Sequence, residues 1–360
     1  MPTRIYIAAI IGTGGIAGAH VRGLRSLGDR IDLAAAADVD AARLGKFADE
    51  HDIAGRYADA DTMLAAVKPD LVCICTPPIT HAPLSIAAMR AGAHVLCEKP
   101  LCASLAELDQ VQAVERATGR TCSSVFQWRF GSGAMHVKRL LDAGELGRPL
   151  VGVCHTLWYR DAKYYAVPWR GKWRTELGGP TMGHGIHAMD LFLHLLGDFD
   201  EVRAMTGTLD RAIEVEDVSL ALVRFRSGAL GSVVNSVLSP RQESYVRLDT
   251  QRATVELTHL YSHRNEHWRV SVPGSLEPPA GWREMGEDAE STHAAQMAAM
   301  IHSLDRDEPP LVTGREARRT LELITCLYKA AATGQPVTQG SIRPGDPYHT
   351  HVGGQPITTP

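Results

Sequence analysis

No two of the seven cysteines stand in a C-x-x-C pair, and their number is odd. No disulfide framework is therefore written in them. Several sit inside apolar runs, where a free thiol behaves as a small hydrophobe, and this usage fits a reducing cytoplasm. No apolar run approaches the roughly 18 residues of a membrane-spanning helix. Positive charge is not in excess either: the formal net charge is -4, which argues against nucleic acid or a membrane surface as a partner. The chain shows no internal repeat and no low-complexity tract. The run Ile5 to Ile11 is short, follows Arg4 and leads into glycines. It reads as a buried first strand rather than a signal peptide.

What is present is ordinary for a soluble globular protein: 44% hydrophobic and 22% charged residues in a chain of 360. That length exceeds most single cores and suits two domains. The first strand ends at Gly12-Thr13-Gly14-Gly15-Ile16-Ala17, the G-x-G-x-x-A form of a dinucleotide-binding turn. Gly12 permits the tight turn and Gly14 lets the backbone approach a pyrophosphate. Ala17 keeps strand and helix close, while the helix N-terminus supplies N–H donors. A second strand, Ile31 to Ala37, ends in Asp38, placed to accept hydrogen bonds from the ribose hydroxyls of an adenosine. The first basic residue after it is Arg43, so NAD is favoured over NADP. Alternatively, Asp38 caps the helix that begins near Asp40.

The run Asp70 to Cys75 is continuously apolar after its first residue, as a strand buried on both faces should be. It ends in Thr76-Pro77, at the carboxyl edge where open α/β sheets bind ligands. The next strand carries V-L-C-E-K-P-L, Val95 to Leu101. Pro100 restricts Lys99 to extended backbone, so one carboxylate and one ammonium are delivered at a sheet edge. This places Lys99 as a catalytic lysine beside a nicotinamide. Expected cofactor contacts are Gly12, Thr13, Gly14, Gly15, Ile16, Asp38, Thr76, Pro77, His81, Glu98 and Lys99.

After residue 122 the pattern changes. A helix Met135 to Ala143, a strand Leu150 to Tyr159, an irregular basic and aromatic segment Arg160 to Arg174 and a helix Ile186 to Leu196 follow. At least five strand-like runs lie between Glu201 and Val272, two of them joined by Arg226-Ser227-Gly228 as a hairpin. Pro273 to Asp288 reads as a loop. Two late helices, Ser291 to Asp305 and Arg315 to Ala332, precede a Pro/Gly-rich tail that reads as an arm or as partly disordered. The expected architecture is α/β: an N-terminal Rossmann domain with a doubly wound parallel sheet (1–122), an α+β domain with a large, mostly antiparallel open sheet (123–340), and the tail (341–360).

With these elements in order, the chain resembles the glucose–fructose oxidoreductase / inositol dehydrogenase (Gfo/Idh/MocA) family over about residues 4–340. The resemblance rests on Gly12 to His20, T-P-P-I-T-H at Thr76 to His81, H-V-L-C-E-K-P-L at His94 to Leu101 and G-H-G-I-H-A-M-D at Gly183 to Asp190. Leu311 to Leu323 is similar to the family's last helix. The resemblance implies an active site between the two domains and a dimer or tetramer built through the open sheet. It also implies that Lys99 touches the reacting hydroxyl near the nicotinamide and that His187 is the general acid/base. One departure is visible: Gly183 stands where the family commonly has an aspartate, and His184 follows it.

An imidazole titrating near neutrality suits removal of a hydroxyl proton, and a nearby ammonium stabilises the developing alkoxide. Asp190, one turn after His187, could orient the ring or simply meet the helix dipole. His184 and His187 do not complete a metal site, since no further ligand has suitable spacing; His184 is a substrate contact or a helix-start histidine. Aromatic rings and cations suit the faces and hydroxyls of a sugar, so Tyr159, Tyr164, Trp169, Arg170 and Lys172 are candidate contacts, or pack an interface; Arg129 is another. The reading is an NAD-dependent dehydrogenase of a secondary hydroxyl on a sugar, inositol or polyol. Rivals are an NAD-retaining elimination or glycoside cleavage, a ligand sensor, and an NADPH-dependent reductase of the dihydrodiol or biliverdin type.

Overall fold

A computed structural model describes residues 4–274 and 277–355. The first sheet runs β1 (Tyr6–Ile11), β2 (Ile31–Ala37), β3 (Gly55–Tyr57), β4 (Leu71–Ile74), β5 (His94–Cys97) and β6 (Cys122–Ser124), connected by α1 (Ala17–Arg25), α2 (Ala41–Glu50), α3 (Ala60–Val67), α4 (His81–Arg90) and α5 (Leu105–Thr118). The strand order is β3-β2-β1-β4-β5-β6, and every pairing is parallel, the doubly wound pattern. β4 is buried along its whole length. Helix starts follow local chemistry: Asp40, Asp59 and Ser104 each accept a backbone N–H three residues on, capping α2, α3 and α5. Asp40, not Asp38, is thus the cap of α2.

The remaining chain forms α6 (Ser132–Asp142), β7 (Pro149–Tyr159), α7 (Ala162–Tyr165), α8 (Trp173–Glu176), α9 (Pro180–Gly183), α10 (Ile186–Leu196), β8 (Phe199–Gly207), β9 (Val218–Phe225), β10 (Leu230–Ser236), β11 (Leu238–Thr250), β12 (Thr254–Thr258) and β13 (Trp268–Ser271). Then come α11 (Ala280–Arg283), α12 (His293–Asp305), α13 (Gly314–Thr333), β14 (Val337–Thr338) and α14 (Pro347–Thr350). The second sheet is ordered β13-β12-β11-β7-β10-β9-β8-β14. Its pairings are antiparallel except β7 with β10. The segment expected to be irregular contains the single-turn helices α7 and α8. The expected loop contains α11, and two of its residues, Ser275 and Leu276, lie outside the described residues.

Two compact units result: residues 1–125 with 293–318, and residues 126–292 with 319–360. The division falls between residues 125 and 126, and residues 293–318 return to the first unit. Helix α12 belongs to the first unit because Met297, Met300 and Ile301 enter the same core as Ile10, Leu24 and Cys73. The expected arm is also packed. β14 pairs with β8, Lys329 bonds Asp346, and His349 and Val352 are buried; residues 356–360 of the tail lie outside the description.

Side chains alternate across the second sheet. Ala221, Val223 and Phe225 of β9 are buried, whereas Leu220 and Leu222 are 49% and 64% exposed. The buried face approaches α10 so closely that a Cβ on Gly152 would lie 2.5 Å from Phe192 Cζ. Gly152→Val should therefore overpack this layer and destabilise the fold by about 1–3 kcal/mol, read as a lower urea midpoint.

Candidate active site

At the end of β1 the chain turns through Gly12 with φ of +89°. A Cβ there would lie 2.9 Å from both the Cys75 carbonyl carbon and the Thr76 nitrogen, so only glycine lets β1 and β4 close on each other. Gly14 and Gly15 have open space where a side chain would stand. Helix α1 begins just beyond them with no side-chain cap. Its first N–H groups and partial positive charge adjoin an open cradle, an arrangement that accepts phosphate.

Asp38 sits at the head of β2 in a dense set of donors. Oδ2 accepts from Thr13 N and Thr13 Oγ1 at 2.8 Å each and from Arg43 Nε at 3.1 Å. Oδ1 accepts from Asp40 N at 2.9 Å and from the second arm of the Arg43 guanidinium at 2.6 Å. Burial pushes this carboxyl up, but the Arg43, Asp40 and Thr13 donors outweigh it and hold it well below the usual carboxylate range. A carboxylate offers about four lone-pair sites, so a ribose hydroxyl must displace one of these partners. Arg43, with a side chain 47% exposed, is the one that can move into solvent.

Beyond β4, Thr76 is half-buried and Pro77 exposed, and Thr80 Oγ1 donates to Thr76 Oγ1 at 2.7 Å. His81 is different. Its ring is fully buried, with Nδ1 and Nε2 each 2.7 Å from a carbonyl oxygen, of Pro100 and Thr76 respectively. It ties together the loops that follow β4 and β5, and burial pushes its pKa down. Expected as a cofactor contact, it has both nitrogens committed to the protein. Glu98 is committed too: Oε1 lies 2.9 Å from His20 Nε2 and 3.0 Å from His293 Nε2, and Oε2 accepts from the Lys99 backbone N–H at 3.3 Å. Lys99 is half-buried, and its peptide bond to Pro100 is cis. Because β1, β4 and β5 are neighbouring parallel strands, Lys99 leaves the same carboxyl edge as the glycine cradle.

In the second unit His187 opens α10 and is buried. Its ring stacks on Trp128, centroids 5.8 Å apart and planes 21° apart, and meets the edge of Tyr261 at 5.9 Å. The Gln127 amide donates to the Tyr261 hydroxyl. His184 joins another cluster. Its Nε2 accepts from Arg160 Nε at 3.2 Å and lies 3.3 Å from the Tyr164 hydroxyl, with Trp158 edge-on at 5.0 Å. Arg170 bonds the Tyr164 hydroxyl, pairs with Glu176 at 3.1 Å and lies 4.3 Å over the Trp169 ring. With Lys172 it lines an open cavity of about 420 Å³. Tyr159 is exposed, with Arg211 over its ring at 5.3 Å.

Arg129 does not join these clusters. Its Nε and one terminal nitrogen donate to the two Asp190 oxygens at 2.6 Å each, in a pair no more than 1% exposed. Thr320 adds a bond to Asp190 at 3.0 Å. Burial pushes the Asp190 carboxyl up, and the Arg129 guanidinium opposes it. The expected substrate contact at Arg129 is thus spent inside the unit, and Asp190 is its partner rather than a support for His187. A Cβ on Gly183 would meet nothing within 4 Å, so an aspartate there would be sterically admissible.

Two matched families cover most of the chain. Residues 7–126 match the oxidoreductase family with an NAD-binding Rossmann fold, and residues 134–260 match the GFO/IDH/MocA C-terminal domain. The chain belongs to the Gfo/Idh/MocA oxidoreductase family. It is 26% identical to a D-apiose dehydrogenase of Paraburkholderia graminis, over 94% of this chain and 90% of that one. It is 31% identical to a myo-inositol 2-dehydrogenase of Thermotoga maritima, over 63% of this chain and 67% of that one. The WlbA dehydrogenase of Bordetella pertussis, solved with NADH and UDP-GlcNAcA, superposes with a TM-score of 0.84 at 26% identity, covering 94% of this chain and 100% of that one. As a Gfo/Idh/MocA protein it is an NAD-binding oxidoreductase of the dehydrogenase type.

Sequence reasoning missed several participants. His293 and His20 meet Glu98 across separations of 195 and 78 residues, which no local motif signals. Trp128 adjoins the candidate Arg129 in the chain, whereas Tyr261 stands beside no candidate. Asp38→Ser should raise KM for NAD at least about tenfold, the loss of a charge-assisted hydrogen bond pair. With Arg43 released, the NADP/NAD ratio of kcat/KM should rise, measured with both dinucleotides; an unmoved ratio removes the ribose contact.

Proposed function

We propose that the enzyme oxidises a secondary hydroxyl of a sugar, an inositol or a related polyol, with Lys99 and His187 at the reacting hydroxyl. The observation that carries this reading is the placement of Lys99 on the carboxyl edge that also bears the glycine cradle. On such an edge an ammonium at the end of β5 faces what lies against a bound dinucleotide. The cradle of Gly12, Gly14 and Gly15 with the start of α1 holds the pyrophosphate, Asp38 takes the adenosine ribose, and Thr13, Ile16, Thr76 and Pro77 line the groove.

When bound, NAD accepts the hydride that leaves the carbinol carbon. The chain supplies the rest. The Lys99 ammonium donates to the hydroxyl oxygen, orients it and stabilises the negative charge that grows there. The His187 imidazole takes the hydroxyl proton, and the stacked Trp128 and edge-on Tyr261 keep that ring in one plane and away from bulk water. His184, with Arg160, Tyr164 and Trp158 beside it, offers aromatic faces and donors of the kind a polyol uses. The relatives named for D-apiose and myo-inositol support the substrate class.

Lys99→Ala should lower kcat by about 10²- to 10⁴-fold, the range for one positioned acid–base or electrostatic group, while NAD still binds by fluorescence titration. Unchanged turnover overturns the assignment. Activity is to be sought by NADH absorbance with D-apiose, methyl glucosides, myo-inositol and UDP-GlcNAcA.

Assembly as a homo-oligomer through the open sheet, in a cytoplasmic compartment, belongs to the same reading. Met205, Leu220, Leu222, Leu230 and Val151 are exposed on this sheet, with Met205 opposite Leu220 and Leu230 opposite Val151 in register. All seven cysteines are buried free thiols. Sedimentation equilibrium should give a multiple of the 39.0 kDa chain mass that falls to the monomer in Leu222→Glu; a wild-type monomer overturns this part.

A further inference from the structure

The buried Glu98 carboxylate is met by two histidines from elements far away in sequence, His20 on α1 and His293 at the first position of α12, all within the first unit. Both imidazoles reach the same oxygen, Oε1, at 2.9 and 3.0 Å, and their rings stand edge to face at 5.0 Å. A carboxylate offers only acceptors, so each Nε2 must carry the proton and donate. The His20 ring agrees with that tautomer. Its Nδ1 is buried with no hydrogen-bond partner among the described residues, so no acceptor is in place there for an Nδ1–H. The other carboxylate oxygen accepts from the Lys99 backbone N–H.

We propose that His20 and His293 are positioning residues: through Oε1 they fix the Glu98 carboxylate, and Glu98 through Oε2 fixes the backbone from which Lys99 projects. This rests on the role given to Lys99 above. Burial alone pushes the Glu98 carboxyl up, and the two imidazole donors outweigh it, keeping the group well below the usual range. Glu98 therefore stays a fixed anion against which the Lys99 segment is set. The three ligand-type atoms also lie within 4.8 Å of one another, so a metal site is the competing use of this cluster. The distances favour hydrogen bonds. Charge-assisted N–H bonds to a carboxylate are about 2.7–2.9 Å long, whereas donors about 2.0–2.2 Å from one tetrahedral zinc ion stand about 3.3 Å apart.

The test uses the full chain and starts at His293, because His20 is completely buried and its variants threaten folding. His293→Leu removes the donor, and His293→Gln restores a neutral N–H at similar reach. With any of the four hydroxyl substrates that the wild type oxidises, His293→Leu should lower kcat about 10- to 100-fold, the cost of a misplaced reacting group. KM and NAD affinity should stay within about twofold, and His293→Gln should recover most of the loss. A Lys99→Ala/His293→Leu double variant should lose no more than Lys99→Ala alone, because the effect passes through Lys99.

Unchanged kcat in His293→Leu, or a Gln variant no better than Leu, overturns the relay. So does a loss of NAD binding and thermal stability together with kcat. An active Lys99→Ala overturns the Lys99 assignment, whereas an inactive one beside an unaffected His293→Leu overturns the relay alone. Independently of substrate, ¹⁵N histidine NMR should show the Nε2–H form at His20 and His293, and an Nδ1–H tautomer at His293 overturns the inference. Zinc bound one-to-one by the wild type and lost in His293→Leu overturns it as well.

Discussion

A carboxylate stays charged inside a protein only where donors replace the water it has given up, and this constraint shapes the candidate site. At the carboxyl edge of the first sheet two acids, Asp38 and Glu98, are buried and ionised, and each draws its donors from several elements. Thr13 comes from the glycine turn and Arg43 from α2; His20 comes from α1 and His293 from α12. Satisfying these two groups locks the glycine turn, the end of β5 and the returning helix into one arrangement. In the second unit burial pushes the Asp190 and Glu216 carboxyls up, and each still finds donors for its oxygens. Asp190 does so with Arg129 and Thr320. Glu216 does so with the backbone of Gly179 and Thr181 and the hydroxyl of Tyr328.

These networks divide the candidate residues by availability. Glu98, His81 and Arg129 look like ligand contacts because they are polar and stand near a motif, yet each is already held by protein partners. Gly14, Gly15, Thr76, Pro77 and Lys99 keep open or partly exposed positions on the same edge. The residues of the candidate site are thus not all of one kind: some stand open to a ligand, and others are held by protein partners. In the second unit the division is similar. His187 and His184 stand in aromatic surroundings suited to a polyol, while Arg129 and Asp190 form the support behind α10.

Most of the fold was legible because each element announces itself locally. Period-two alternation in β9 and β10, continuous apolar runs in β4 and a helical pattern from Ile186 to Leu196 need no partner to be recognised. The tail and the domain boundary were not legible. Nothing near His293 says that its helix packs with β1 rather than with the strands just before it, because that choice depends on which core has room for Met297, Met300 and Ile301. The tail has the Pro/Gly composition of a loose arm, but a two-residue strand and one Lys329–Asp346 pair hold it.

By itself the sequence determined the order of elements, the parallel and the mostly antiparallel sheet, the glycine turn and which lysine and histidine are the candidates for the chemistry. Those depend on local sterics and short spacing, which one stretch of chain contains in full. Only the tertiary structure decided which polar side chains remain to meet a ligand. A hydrogen bond is a relation between groups that can lie 195 residues apart, and no single segment records whether its partner arrives.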